Sequence, residues 1–310
     1  MVQNRDNRER TIKSEITFSG KGLHTGKVAN LRLLPASEGC GIIFIRKDIS
    51  DDAKLPAIAA NVSFTKRSTT LQCGDIQVIT SEHLLSALYA LKIDNVIIEI
   101  DNVEVPILDG SAAPYVEAIE KIGVVTQNKE REYIVIDEEI TYSKEGEDWW
   151  IKALPYDGFE LDVTIDFNSK VLGVQRATFN DDSDYADEIS FCKTFCFLHE
   201  IEPLLKMGLI KGGDLQNALV IAENELSQEE IENYKKMFNL ESLTRSEKGF
   251  LSHSELIYDN ECARHKLLDL IGDISLVGKQ IKGKIIAYKS GHKINTEFAE
   301  IIRKKYNYNE

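Results

Sequence analysis

The segment Glu261–Asp273 constrains the fold and the chemistry of this chain more than any other stretch. Its apolar residues recur at helical spacing and no proline interrupts them, so the segment predicts an amphipathic helix. At about 3.6 residues per turn, His265 and Asp269 lie one above the other on one face, and Asp273 continues that face one turn later. An imidazole and a carboxylate placed in this way can bind one divalent metal ion, although a solvated polar stripe has the same spacing.

A second segment, residues 80–90, also predicts a helix. Its leucines form one apolar stripe, and the hydroxyl group of Thr80 or Ser81 is expected to cap the first turn. Glu82 and His83 fall in that turn, just off the stripe, where the positive end of the helix dipole favours an ionised carboxylate. With an acid beside it at a helix start, His83 is the best candidate for a third metal ligand.

Together the two helices suggest a catalytic metal site. A catalytic zinc ion takes three protein ligands and keeps a fourth position for water, whose pKa falls to about 7. His83, His265 and Asp269 are the candidate ligands. Glu82 is the candidate general base, which accepts a proton from water without binding the metal. Spacing alone leaves this set of residues a hypothesis.

Two further histidines lie in glycine-containing segments. His292 follows a predicted strand in a Gly-His loop and is a candidate for a second acid or, as imidazolium, for stabilising an oxyanion. Asp273, unpaired on its helix face, is a candidate for holding that imidazole in one tautomer. His24 lies beside three glycines, where a ligand can approach the backbone, so it is either a turn histidine or a ligand contact.

Composition narrows the class of protein. A length of 310 residues suggests about two domains. The 37 basic and 51 acidic residues give a net charge of −14, which argues against nucleic-acid binding but not against a local pocket for a phosphorylated ligand. The five scattered cysteines, the polar N-terminal segment and the lack of any run near 20 apolar residues predict a cytoplasmic protein with free thiols and no membrane span.

The order of the predicted elements indicates a duplicated unit. Short strands and a glycine-rich turn in residues 11–48 precede the helix of residues 80–90, and after residue 133 strands again come first and helices later. The polar run 127–132 is the predicted boundary between a first domain, residues 1–126, and a second, residues 133–310. This pattern predicts an α+β fold made of two similar units.

An apolar and aromatic stretch near residue 190 has two interpretations. Residues 190–198 contain three phenylalanines, and further apolar residues follow up to Gly212 and Gly213. The stretch either belongs to the core or lines a slot for an acyl chain.

Six segments of the chain form a set of motifs. They are Gly20-Lys-Gly-Leu-His-Thr-Gly26, Glu82-His83-Leu84, Ile93-Asp-Asn95, Val105-Pro-Ile-Leu-Asp-Gly-Ser-Ala112, Arg264-His-Lys-Leu-Leu-Asp-Leu-Ile-Gly-Asp273 and Tyr288-Lys-Ser-Gly-His292. Together they closely resemble the zinc-dependent UDP-3-O-acyl-N-acetylglucosamine deacetylases, which catalyse the committed step of lipid A biosynthesis. The resemblance runs from about residue 10 to residue 303, with the motifs in the same order.

The resemblance implies a fold and a function. The fold is a duplicated α+β sandwich with helices between two sheets and the active site in the cleft between domains. The function is hydrolysis of the N-acetyl group of a UDP-sugar lipid precursor, with release of acetate. The implied metal is Zn²⁺, with Fe²⁺ as an alternative.

The resemblance also assigns roles to individual residues. The zinc ligands fall on His83, His265 and Asp269, Glu82 is the general base, and His292 with its partner Asp273 is the general acid or electrostatic catalyst. Thr194 helps to hold the oxyanion. The implied substrate contacts are Lys266 near the diphosphate, Phe167 near the nucleotide, Phe195 in an inserted acyl-passage unit around residues 190–215, and His24 in the opening motif.

This chain departs from the family pattern in two places. Cys196 replaces a glycine that many members have after Thr-Phe, and is expected to narrow or stiffen the acyl passage. Residues 259–264 look closer to members fused to a hydroxyacyl carrier-protein dehydratase, so the tail after Arg303 is a candidate for the start of a linker.

Two other functions remain open at this point. The metal site alone does not identify the sugar, so a zinc amidase acting on another N-acyl sugar is the alternative enzyme. A binding or regulatory protein that has lost turnover is the alternative of a different class.

Overall fold

The computed structural model describes residues 7–251 and 256–306. The first part of the chain forms strands β1 (Arg8–Ile12), β2 (Ile16–Lys21), β3 (Val28–Pro35), β4 (Ile42–Arg46), β5 (Lys54–Pro56), β6 (Val62–Phe64), β7 (Thr70–Cys73), β8 (Ile76–Val78), β9 (Val96–Ile100) and β10 (Val124–Glu130), with helices α1 (Glu82–Ala90) and α2 (Ala113–Ile122).

The later part forms strands β11 (Tyr133–Val135), β12 (Ile140–Ser143), β13 (Trp150–Leu154), β14 (Phe159–Asp166), β15 (Val174–Asn180), β16 (Phe195–Phe197), β17 (Leu219–Ile221) and β18 (Gln280–Tyr288). Its helices are α3 (Tyr185–Glu188), α4 (Leu198–Lys206), α5 (Gln228–Phe238), α6 (Glu261–Ser275) and α7 (His292–Lys305). Among the described residues, no helix is long and apolar enough to cross a membrane.

Two sheets repeat one topology. The first has the strand order β2-β3-β9-β4-β5, and the second has the order β12-β13-β18-β14-β15, with β11 added beside β18. In each, the strand that comes last in sequence lies in the centre, antiparallel to one neighbour and parallel to the other. A helix, α1 or α6, precedes that central strand in the chain. The predicted α+β class with two similar units is confirmed.

Helices α1 and α6 pack against each other, and α6 also packs on β14 and β15 of the second sheet. The two helices lie close together at Gly272, where an added Cβ atom would lie 2.1 Å from the carbonyl oxygen of Glu82. Only a residue without a side chain fits there. One continuous apolar core includes residues of both sheets and both helices, so the start of α1 is held firmly against α6.

The helix predictions are confirmed, with two corrections. The hydroxyl groups of Thr80 and Ser81 do not cap α1: Ser81 donates to the Thr69 carbonyl at 3.2 Å, and Thr80 donates to Glu104 at 2.9 Å. His292 is not in a loop but is the first residue of α7. The first difference arises because the two hydroxyl groups bond to residues distant in sequence. The second arises because α7 starts only a few residues after β18 ends. Local sequence patterns encode neither.

An inserted unit lies between β15 and α6. It contains the parallel pair β16–β17 and helices α4 and α5, and it has its own small apolar core. That core extends from Leu198 to Leu251, well beyond the predicted span of residues 190–215. The insertion therefore forms a separate apolar wall beside the two duplicated units.

The predicted domain boundary coincides with a strand. Residues 127–130 belong to β10, which pairs antiparallel with β1 near the start of the described chain. The domain limits 1–126 and 133–310 stay a prediction. Residues 1–6, and residues 307–310 of the predicted linker, lie outside the described residues.

Candidate active site

The three helices α1, α6 and α7 bring the predicted catalytic residues together. Glu82 and His83 occupy the first turn of α1, and His292 begins α7. His265, Asp269 and Asp273 lie along one face of α6. All six side chains are buried, with exposed fractions of 9% or less.

His83, His265 and Asp269 form one compact cluster. One side-chain N or O atom of each lies within 4.8 Å of the others. Oδ1 of Asp269 is 3.4 Å from Nε2 of His265 and 3.7 Å from Nε2 of His83. The two imidazole rings meet edge to face, with centroids 5.0 Å apart. The structure therefore brings together the three residues that the sequence offered as candidate metal ligands.

The remaining polar atoms of the cluster are held by protein groups. Nδ1 of His265 lies 3.0 Å from the Cys192 carbonyl, so this nitrogen carries the proton and Nε2 presents its lone pair to the cluster. Oδ2 of Asp269 accepts a hydrogen bond from Nζ of Lys266 at 2.7 Å. Oδ1 of Asp269 is buried and has no hydrogen-bond partner among the described residues. One unsatisfied carboxylate oxygen thus faces two imidazoles.

Charge states in the cluster favour metal binding. Burial, together with the neighbouring His265, lowers the pKa of His83 to about 3, and burial also lowers the pKa of His265. Burial opposes the charge of Asp269, but Lys266 and the surrounding histidines outweigh it and hold the pKa of that carboxyl well below its usual range. Neutral imidazoles and an ionised carboxylate are the donors that Zn²⁺ and Fe²⁺ accept, so these residues fit a divalent metal.

Glu82 lies beside the cluster without belonging to it. Its Oε2 accepts a hydrogen bond from the Thr69 amide at 3.0 Å, and its Oε1 lies 3.9 Å from Nε2 of His292. Burial raises the pKa of Glu82 to about 7, partly offset by His292. The carboxylate is fixed in position and has the proton affinity of a base that works near neutral pH.

His292 is oriented by a buried carboxylate. Its Nδ1 lies 3.0 Å from Oδ2 of Asp273, which also accepts a hydrogen bond from Nδ2 of Asn295 at 2.9 Å. Burial opposes the charge of His292, but Asp273 and Asp269 outweigh it and raise the pKa to about 9. The ring therefore carries a proton at neutral pH and directs Nε2 into the cleft.

Sequence patterns missed two residues of this network. Thr69 donates its amide to Glu82 and its hydroxyl group to Oδ1 of Asp273 at 2.5 Å, which ties the base and the acid together. Asn295 fixes the other oxygen of Asp273. Asn295 follows His292 by three residues, and that helical spacing was the one available signal. Nothing near Thr69 indicated its role.

A cleft of about 310 Å³ opens in front of the cluster. Its lining includes the predicted residues Thr194, Phe195, Phe167 and Lys266. The Thr194 amide donates to the Gly110 carbonyl at 2.8 Å, which fixes the backbone at this point. The ring of Phe167 is 45% exposed and meets the ring of Phe195 edge to face at 5.5 Å. Lys266 lines the same cleft, with its ammonium group bonded to Asp269.

The cleft continues into a narrower apolar cavity of about 190 Å³. Phe195 and Cys196 line both spaces, and apolar residues of the inserted unit line the deeper one. His24 is buried at this wall, and among the described residues neither of its ring nitrogens has a hydrogen-bond partner within ordinary limits. Burial lowers the pKa of His24. Residues of the stretch near residue 190 thus line this cavity and also belong to the core of the inserted unit, and the acyl slot stays a prediction.

Two histidines and one carboxylate form a ligand set that is found in zinc-dependent hydrolases. The model of one family, UDP-3-O-acyl N-acetylglycosamine deacetylase, matches residues 9–239 and 235–304. The chain is a member of this deacetylase family.

Individual relatives agree with the family. The chain is 44% identical over 303 residues to the bifunctional enzyme LpxC/FabZ of Porphyromonas gingivalis and 41% identical to that of Bacteroides thetaiotaomicron, covering 98% of this chain and 66% of each relative. It is 39% identical to the UDP-3-O-acyl-N-acetylglucosamine deacetylase of Saccharophagus degradans, covering 96% of this chain and 91% of that relative. The chain thus spans about two thirds of the length of the bifunctional relatives.

Proposed function

We propose that this protein is a zinc-dependent amidohydrolase that removes the N-acetyl group from UDP-3-O-(3-hydroxyacyl)-N-acetylglucosamine and releases acetate, the committed step of lipid A biosynthesis. One observation carries the proposal: a buried His83, His265 and Asp269 cluster lies beside a fixed carboxylate and a protonated imidazole, at the head of an apolar cavity. Family membership and the names of the relatives support the same reaction.

His83, His265 and Asp269 would hold the metal. A divalent ion there supplies Lewis acidity for the amide carbonyl and lowers the pKa of water. The unsatisfied Oδ1 of Asp269 supports this role, because an ionised oxygen without a partner is costly to bury. Zn²⁺ is the proposed metal and Fe²⁺ the alternative, and the metal content of the purified protein separates the two.

Glu82 acts as the general base. Its carboxylate takes a proton from the water that attacks the carbonyl carbon of the acetamide group. The Thr69 amide keeps the carboxylate in place, and the pKa near 7 matches a base for neutral pH.

His292 acts as the general acid. When the carbon–nitrogen bond breaks, Nε2 of His292 gives its proton to the departing amine, and acetate is the second product. Asp273 stabilises the imidazolium and holds Nδ1, so the proton that is transferred lies on Nε2. Thr194, in the wall of the same cleft, is the proposed hydroxyl donor to the oxyanion.

Substrate binding follows from the two connected spaces. We assign the acyl chain to the apolar cavity, where Phe195 and His24 form part of the wall. Phe167 stands at the exposed mouth of the cleft and offers a ring face for the nucleotide. Lys266 is the proposed cation near the diphosphate, although in this structure its ammonium group is bonded to Asp269.

The direct test is acetate release from the UDP-linked substrate, with UDP added as a competitor. The proposal predicts acetate release that UDP inhibits. Turnover that UDP leaves unchanged would assign the enzyme to another N-acyl sugar, and absence of turnover on this substrate would contradict the proposal.

We also propose that a hydroxyacyl carrier-protein dehydratase is fused to, or associated with, this chain in cells. The support is the similarity to relatives named as bifunctional enzymes, at 40–44% identity. An immunoblot of cell extract with antibody against this chain is the test. The immunoblot gives the size of the chain, and purification of the chain from the extract shows whether dehydratase activity accompanies it. A chain near 35 kDa that purifies without dehydratase activity would contradict the proposal.

A cytoplasmic location is proposed as well. All five cysteines are free thiols, which suits a reducing compartment. Fractionation of the source cells tests this, and recovery of the protein in the periplasmic fraction would overturn it.

A further inference from the structure

A second cavity of about 310 Å³ lies away from the candidate active site, at the C-terminal ends of α1 and α6. Both duplicated units contribute to its walls: Leu85 and Leu88 come from α1, and Gln280 and Arg303 come from β18 and α7. Its volume is at the lower end of the range of small-molecule sites, roughly 300–1,000 Å³. None of the catalytic residues proposed above lines it.

Arg303 is the unusual residue of this cavity. It is only 5% exposed, and its Nη1 donates to the Val277 carbonyl at 2.6 Å. In the part of the chain that the structure describes, no carboxylate lies within ion-pair distance of its guanidinium group. Burial lowers the pKa of Arg303, and the more distant Glu300 offsets this only in part. A buried cation that has no carboxylate in direct contact is destabilising, and an anion bound beside it would offset that cost.

The other charged groups at the cavity already have partners. Arg131 forms two hydrogen bonds with the carboxylate of Asp94, both shorter than 3 Å, and Lys279 pairs with Glu132 at 2.9 Å. Glu9, also at the wall, pairs with Lys129 at 3.2 Å and accepts hydrogen bonds from Asn95 and the Gly39 amide. Arg303 is therefore the cation with capacity left for an anion.

Aliphatic side chains form one part of the wall, beside the charged and polar residues. Leu85 and Leu88 of α1 face the cavity together with residues from the first sheet and its loops, namely Ile42, Ile58 and Ile93. A free inorganic anion would leave these side chains without contact. A ligand with one negative charge and a short hydrocarbon part satisfies both the guanidinium group and the apolar wall.

We propose that this cavity is a binding site for a small aliphatic monocarboxylate. The carboxylate pairs with the guanidinium group of Arg303, and the hydrocarbon part lies against Leu85 and Leu88. The site is independent of the reaction proposed above, because it uses none of the residues assigned to that reaction.

The reactivity of three cysteines shows where a ligand binds. Cys40 lines the proposed site, Cys196 lines the acyl cavity, and Cys73 is exposed elsewhere. The experiment measures the alkylation rate of each thiol in the purified chain by mass spectrometry, with hexanoate as the probe. At a concentration ten times its Kd, hexanoate is expected to lower the alkylation rate of Cys40 about tenfold, following 1 + [L]/Kd. The alkylation rate of Cys73 is expected to stay unchanged.

Comparison probes test the chemistry of the ligand. Hexan-1-ol has the hydrocarbon part without the charge, and inorganic phosphate has the charge without the hydrocarbon part. Neither is expected to protect Cys40 at the same concentration. Equal protection by hexan-1-ol or phosphate, protection of Cys196 alone, or no protection of Cys40 at saturating hexanoate would each overturn the proposal.

Variants test the role of Arg303. Arg303→Gln is expected to weaken the protection of Cys40 at least about tenfold, since a hydrogen-bonded charge is removed. Arg303→Lys keeps a cation and is expected to retain part of the protection of Cys40. It therefore tests the role of the charge even where Arg303→Gln fails to fold. Lys304→Gln removes the neighbouring exposed charge on α7 and should leave protection intact. Full protection in Arg303→Gln would contradict the assignment.

Discussion

The two duplicated units have the same strand order, yet they contribute differently to the candidate active site. Their central helices even begin alike, with a buried glutamate as the first residue: Glu82 in α1 and Glu261 in α6. Glu82 faces His292 across the cleft. Glu261 instead accepts hydrogen bonds from the backbone amides of Lys193 and Ile257, which fixes two loops. In the proposed mechanism the residue at this position is the base in one unit, whereas in the other unit it fixes loop structure.

The helices that follow the central strands differ in the same way. Helix α7 begins with His292, whose ring enters the cleft, whereas α2 begins with Ala113 and Pro114 and carries neither a histidine nor a carboxylate in its first turn. Helix α6 has fifteen residues and α1 has nine, so α6 presents three functional side chains along successive turns where α1 presents two in one. The two units thus share their strand order and helix positions, and the residues of the candidate active site lie where their side chains differ.

The largest expected effect separates the two glutamates. Glu82→Gln should lower kcat by about 10²–10⁴-fold, because the general base is lost, while the metal content is unchanged. Glu261→Gln is the matched control and should retain activity within a few-fold, since it removes one charge at the equivalent position. Acetate release and metal analysis measure both. Near-normal turnover in Glu82→Gln would remove the base assignment.

The next effect concerns the contact between the units. Gly272→Ala should lower the free energy of unfolding by about 1–3 kcal/mol, because the new methyl group meets the Glu82 carbonyl oxygen. In Gly291→Ala the added Cβ atom meets no atom within 4 Å, so this variant is the control for stability. Urea denaturation measures both. Equal free energies of unfolding for the two variants would show that the packing of α1 on α6 does not require the close contact at Gly272.

A smaller effect is expected from the residue that holds Asp273. Asn295→Ala removes one hydrogen bond to a charged group, worth about 1.5–3 kcal/mol, so kcat should fall roughly tenfold or more with little change in KM. Lys293→Ala, at an exposed position on the same helix, is the control. A change in KM alone would assign Asn295 to substrate binding instead.

The smallest effect tests the inserted unit, whose place in the first duplicated unit, between β5 and α1, is taken by the small three-stranded sheet β6-β7-β8. Cys196→Gly widens the apolar cavity at the point where it joins the cleft. The ratio of kcat/KM for a longer over a shorter acyl chain should rise about tenfold, the lower end of the usual range for a change of one small group in a pocket. Cys73→Ser, at an exposed site, should leave the ratio unchanged. An unaltered ratio in Cys196→Gly would contradict a role in chain selection.

Local spacing was sufficient for the parts of the site that lie on one helix. His265, Asp269 and Asp273 share a face of α6 because helical geometry fixes their separation, so the sequence predicts that face directly. The sequence offered His83 and Glu82 as candidates for the same site because both fall in a helix first turn, and the resemblance to a family assigned them the same roles. No local pattern shows that α1 packs on α6. The repeated strand order was predictable only as a loose duplication.

The supporting contacts were not predictable. Thr69 reaches Glu82 and Asp273 through hydrogen bonds that span 13 and 204 positions in the chain, and His265 is oriented by a backbone carbonyl of Cys192. A carbonyl group carries no sequence signal, and threonine is common in strands and turns. Hydrogen bonds between distant segments follow from the packing of the two units, which sequence spacing does not contain.

The measurement that tests the central claim most directly is metal content together with acetate release, for the wild type and for His265→Ala. The account predicts one zinc or iron ion per chain and turnover of the UDP-linked substrate in the wild type, with both lost in the variant. A wild-type protein that turns over substrate without metal, or a variant that keeps both metal and activity, would contradict the claim that His83, His265 and Asp269 form the metal centre.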